Sequence, residues 1–82
     1  MVKVSFAAHL PKTVGVRESQ VEASSVRALL RALSRQHGKP FDAVAGGCKV
    51  LVNGTKVAFL EGEGTSLADG DEVVLLPPLA GG

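Results

Sequence analysis

Between Ser24 and Pro40 the chain carries an apolar stripe that decides what the rest can fold into. Val26, Leu29, Leu30, Leu33 and His37 recur at i, i+3, i+4, i+7 and i+11, one face of an amphipathic helix. Arg27, Arg31 and Arg35 occupy its other faces. Ser24-Ser25 offers an N-cap, Gly38 fits the position just past the C-terminus, and Pro40 forbids continuation. Such a stripe cannot bury itself; it must cover one face of a sheet.

The flanking segments supply that sheet. Val2, Val4 and Phe6 alternate with Lys3 and Ser5, so residues 2–7 read as a strand. Leu10-Pro11 breaks the pattern and Gly15 allows a turn. Weaker alternation predicts a second strand around Ser19–Glu22. Phe41–Gly47 reads as a loop with apolar anchors at Phe41 and Val44, and Lys49–Val52 as a third strand. Asn53-Gly54 is a hairpin signal, since a type I′ turn needs positive φ at both central residues. Thr55–Phe59 then forms a fourth strand. Gly62 and Gly64 open a loop, Ser66-Leu67-Ala68 suits one helical turn, and Asp69-Gly70-Asp71 is a tight turn before a last strand, Glu72–Leu76. No repeat or linker divides the chain. This order predicts an α+β fold of the β-grasp type: a mixed sheet of about five strands, one main helix on one face, and the first and last strands parallel and central.

Bulk properties narrow the function. At 82 residues the chain makes one small domain, whose core must come from Val, Leu and Ala because aromatics are limited to three Phe. A net charge of +1 argues against nucleic acid as the main partner, and there is no signal for a membrane surface or a membrane span. Cys48 is the only cysteine, which precludes an internal disulfide and argues against a cysteine-based zinc site. The N-terminus alternates with polar residues and so is no signal peptide. The expectation is a soluble, cytoplasmic protein.

The last six residues, Pro77-Pro78-Leu79-Ala80-Gly81-Gly82, follow the apolar run Val73–Leu76. The prolines end the strand, because proline lacks the N–H that a ladder needs. Extended, six residues reach roughly 20 Å, and glycine lets backbone pass where a Cβ would not fit. Such an end can carry a terminal carboxylate into another protein's active site; the plain alternative is a frayed terminus. The expected division is a domain at 1–76 and a flexible tail at 77–82. Along the last strand, Val73 and Leu75 should face the helix, leaving Val74 and Leu76 on the opposite face beside Pro77 and Pro78. That is a candidate partner surface, unless Val74 and Leu76 pack under a loop.

With these pieces in place, the whole chain resembles the ubiquitin-like sulfur carriers of the ThiS/MoaD type. The resemblance is sharpest at Asp69-Gly70-Asp71-Glu72-Val73 and Leu76–Gly82, with Val52-Asn53-Gly54 in the middle hairpin. The Pro-Pro-x-Ala-Gly-Gly ending is most similar to the small subunit of molybdopterin synthase, whereas Phe59–Thr65 is more similar to carriers used in cysteine biosynthesis and related archaeal-type proteins. The resemblance implies a carrier rather than an enzyme, with no cofactor of its own. An E1-like adenylating enzyme would use ATP to activate the carboxylate of Gly82, and a sulfur donor would convert it to a thiocarboxylate. Leu79, Ala80 and Gly81 would line the tail in the partner's channel, and Leu76 falls where family members carry an apolar contact. A catalytic subunit, such as the molybdopterin synthase large subunit, would accept the sulfur. Cysteine, thiamin, thiolated tRNA and secondary-metabolite pathways remain alternatives, as do a protein modifier conjugated through Gly82 and an interaction module with an inert tail.

Other residues invite plainer readings. Cys48 has no sequence neighbour to activate it and reads as an idle thiol. His9 and His37 show no metal spacing, and His37 suits the negative end of the helix dipole. Asn53-Gly54-Thr55 matches a glycosylation sequon that the turn itself explains. Gly62-x-Gly64 lacks the Lys-Ser/Thr of a phosphate loop. The three arginines read as a solvated helix face.

Overall fold

The computed structural model describes residues 1–56 and 64–77. In chain order its elements are β1 (Val2–Phe6), α1 (Leu10–Val14), β2 (Glu18–Val21), α2 (Val26–His37), α3 (Lys39–Ala45), β3 (Lys49–Val52), β4 (Thr55–Lys56) and β5 (Glu72–Leu76). The strands form one sheet in the order β2-β1-β5-β3-β4. β1 and β5 run parallel, with Val4 beside Val73; the remaining pairs are antiparallel. The mixed five-stranded sheet with its parallel central pair is the expected β-grasp arrangement.

Burial follows the alternation. Val2, Val4 and Phe6 of β1 and Val73 and Leu75 of β5 point inward and join one cluster with Val26, Leu29 and Leu33 of α2. Leu10 of α1 and Phe41 of α3 enter the same cluster, so all three helices lie on one face. The single main helix of the sequence reading therefore has two short companions.

Both short helices carry a proline in their first turn. Pro40 does stop α2, whose end is marked by Gly38 at φ 69° donating to the Ser34 carbonyl. It also starts α3, because a proline in the first helical turn loses no hydrogen bond. The Gly38 carbonyl accepts from Phe41 and Asp42 at 3.1 and 3.0 Å, which leaves Phe41 turned into the core. Pro11 plays the same part in α1, closed by Gly15 at φ 100° with its N–H on the Pro11 carbonyl at 2.8 Å. The helical turn expected at Ser66-Leu67-Ala68 is an extended crossing instead. Ser66 bridges Ser25, and Leu67 N–H donates to the Ser24 carbonyl at 2.9 Å, which buries Leu67 beside the start of α2. Of the fourth strand, Thr55–Lys56 is seen; Val57–Phe59 and the loop through Gly62 lie outside the described residues.

Two turns are bonded to each other. Asn53 and Gly54 adopt φ 49° and 86°, as a type I′ turn requires. The Asn53 side chain accepts from Glu72 N–H at 3.0 Å and donates to Asp71 at 3.2 Å, and Asp71 accepts from Ala68 N–H at 2.8 Å. The hairpin is thus tied to the turn that launches β5. Beside it, the Met1 ammonium pairs with Asp69 and holds that carboxyl below its ordinary range.

The helix cap gives a direct test. Ser25 Oγ accepts from Ala28 N–H at 3.1 Å. Ser25→Ala should cost about 1 kcal/mol. Thermal unfolding followed by circular dichroism should then show a midpoint lower by roughly 4–8 °C.

Candidate functional site

Among the described residues, no helix covers the other face of the sheet at its centre. Along β5, Glu72 is exposed and Val74 and Leu76 are half-buried, while Val73 and Leu75 are fully inside. Register sets Ser5 of β1 and Leu51 of β3 on either side of Val74, and Lys49 beside Leu76. Directly opposed residues on one face have Cβ atoms about 5 Å apart, so Leu51, Val74 and Leu76 form a short apolar strip. It runs toward Pro77. At its far end Lys3 Nζ reaches Glu18 at 2.9 Å and Glu72 at 4.0 Å. The Glu18 hydrogen bond, chiefly, holds the Lys3 amine above its ordinary range.

Of the partner-contact residues named from the sequence, Val74 and Leu76 share this strip. Pro77, the last described residue, is buried. Pro78, Leu79, Ala80, Gly81 and Gly82 lie outside the described residues. Leu51 went unnamed in the sequence reading. Its signal was the Asn53-Gly54 turn, which fixes the alternation of β3 and hence the outward face of Leu51.

Cys48 precedes β3. It is half-buried, its Sγ contacts the Val44 carbonyl at 3.2 Å, and burial pushes its thiol above the ordinary range. A raised thiol leaves less thiolate at neutral pH. Alkylation by iodoacetamide at pH 7.5 should run several-fold slower than for a free cysteine peptide, and unfolding in denaturant should remove the difference. His37 does more than meet the helix dipole: its ring stands edge-on to Phe6, with centroids 5.9 Å apart and planes at 89°. Its Nε2 is buried without a hydrogen-bond partner. Among the described residues no cluster of three or more His, Cys, Asp or Glu could hold a metal ion, and no helix is long and apolar enough to cross a membrane.

The ThiS family model matches residues 4–82 of this chain. The chain belongs to the ThiS family. Its fold is shared closely with small archaeal modifier protein 1 of Methanosarcina acetivorans, at 29% identity and a TM-score of 0.87, covering 99% of this chain and 95% of the other. A chain in the complex of subunits 1 and 2 of the molybdopterin-converting factor from Helicobacter pylori aligns at 26% identity and a TM-score of 0.71, covering 99% and 97%. Small archaeal modifier protein 3 of Haloferax volcanii is 54% identical over 33 residues, which are 40% of this chain and 36% of that protein's length. This ThiS-family member therefore stands among small ubiquitin-like carriers and modifiers, some of which are seen bound to partner proteins.

Proposed function

We propose that this ThiS-family chain carries sulfur as a thiocarboxylate on Gly82. The observation that carries the reading is the extent of the family match, which runs through Gly81-Gly82. A carboxylate is a poor electrophile, and the chemistry follows from that. A Gly82 carboxylate oxygen attacks the α-phosphorus of ATP in an E1-like partner, releasing pyrophosphate and leaving an acyl-adenylate. Sulfide from a donor then attacks the acyl carbon, AMP departs, and the thiocarboxylate remains. The partner supplies the phosphate stabilisation; this chain supplies a slim end and a docking face. A requirement for ATP supports a cytoplasmic setting. Molybdopterin synthesis is the favoured destination of the sulfur, supported by the ending Pro77–Gly82 and by the likeness to the molybdopterin-converting factor complex.

Intact mass spectrometry after incubation with ATP, a sulfur source and the host's E1-like enzyme tests this. The expected result is a mass gain equal to one oxygen exchanged for sulfur, localised to Gly82. An unchanged mass, with an enzyme active on its own known carrier, rejects the reading. A second reading, conjugation through Gly82 to lysines of other proteins, is favoured by the two archaeal relatives named as modifiers. Lysine-linked adducts in cell extracts would identify it.

The apolar strip is the proposed docking face. Leu51→Asp sets a charge beside Val74 without entering the core. It should raise KM for the carrier in the adenylation assay about tenfold, a loss typical of one central contact, with kcat little changed.

A further inference from the structure

The net charge of +1 hides an uneven distribution. At the end of the sheet where β5 leads to Pro77, Lys49 lies beside Leu76, and the Arg17 carbonyl accepts from Phe6 N–H. Lys12 follows on α1, and Arg35 and Lys39 flank the end of α2, where His37 meets Phe6. All five cations are exposed, and none has an ion-pair partner among the described residues. Two described carboxylates border this pole: Asp42, on α3 with Lys39, accepts from the Ser34 hydroxyl, and Glu18, next to Arg17, is paired with Lys3. The opposite end holds Glu22, Asp69, Asp71 and Glu72, and its cations are occupied: Lys3 by Glu18 and Glu72, the Met1 ammonium by Asp69. The two ends of β5 are only about 13 Å apart, so the contrast is steep.

We propose that this cationic pole docks against a rim of carboxylates around the mouth of the adenylating partner's tail channel, and that it turns the carrier tail-first during approach. The inference rests on the carrier reading above. Unpaired charges of one sign on one face raise encounter rates and fix orientation more than they add affinity. Cations already paired within the domain contribute little to such a field. The complementary surface is therefore acidic at the rim and apolar where it meets Leu51 and Val74.

The test measures kcat/KM for adenylation by the host's E1-like enzyme as a function of ionic strength, on folded variants with unchanged thermal midpoints. Two reversals address the pole: Arg17→Glu with Lys49→Glu, and Lys12→Glu with Lys39→Glu, the second pair lying off the apolar strip. Arg27→Glu with Arg31→Glu makes the same change in net charge on α2, away from the tail. At low ionic strength both pole reversals should lower kcat/KM at least about tenfold, while the α2 reversal stays within about twofold. At about 0.5 M salt, where the screening length is about 4 Å, the differences should close. Equal losses in all three variants, or no loss in the pole variants with a normally adenylated wild type, overturn this inference alone. A wild-type chain that is never adenylated overturns the carrier reading and this inference with it.

Discussion

Deleting Gly81 and Gly82 should abolish thiocarboxylate formation, lowering the adenylation rate at least about a thousandfold, and leave the thermal midpoint within about 1 °C. The chemical argument is one of reach. Two extended residues span about 7 Å. A reacting atom misplaced by even 1 Å can cost about a hundredfold, so a carboxylate withdrawn by that distance has no productive geometry. The stability argument is one of position: the hydrophobic core cluster ends at Leu75 and the last buried residue described is Pro77, both upstream of the deletion. ATP–pyrophosphate exchange and intact mass report the first effect, and a melt reports the second. Full activity in the truncated chain would remove Gly82 from the chemistry. Lost activity together with lost folding would instead assign the glycines a structural part.

Phe41→Ala makes the opposite separation. Phe41 is 2% exposed and stands edge-on to Phe6, with ring centroids 6.5 Å apart. Truncating a buried phenylalanine costs about 3–5 kcal/mol. For a domain of this size that lowers the melting midpoint by roughly 15–30 °C, a large part of a typical total stability of about 5–15 kcal/mol. Chemical denaturation should show the same loss. Adenylation measured well below the lowered midpoint should stay near normal, since Phe41 lies on the helix face of the sheet. A shift under about 5 °C would mean that α3 is not part of the cooperative core.

What was legible in the chain is what local chemistry dictates. The stripe from Val26 to Leu33, the Ser25 cap and Gly38 defined α2, because period, cap and stop agreed. Asn53-Gly54 and Asp69-Gly70-Asp71 fixed two turns through backbone geometry that few other residues tolerate. The short helices were missed because Pro11 and Pro40 read as breakers, when proline ends one element and begins the next. Five to seven residues give too little period to outweigh that signal. Ser66–Ala68 was misread for the opposite reason: its conformation is set by pairing with Ser24 and Ser25, some forty residues away, and nothing local announces it. On the face opposite the helices, alternation found Val74 and Leu76, while Leu51 was signalled only through the Asn53-Gly54 turn that sets the phase of β3. The charge pole needed the whole fold, because Lys12, Arg17, Arg35, Lys39 and Lys49 are scattered along the sequence and meet only at one end of the sheet.

The place of β5 has a consequence for how the protein is made. It lies at the centre of the sheet, between β1 and β3, yet it is the last of the described elements to be synthesised. A ribosome must therefore release Leu76 before Val2–Phe6 can find its parallel neighbour. Until then β1 and β3 each present an unpaired edge, and the sheet cannot close. Folding this late is slow in principle, because the decisive contact joins residues about seventy positions apart. A chain cut short upstream of β5 therefore lacks the sheet centre and, with it, Val74 and Leu76 of the apolar strip.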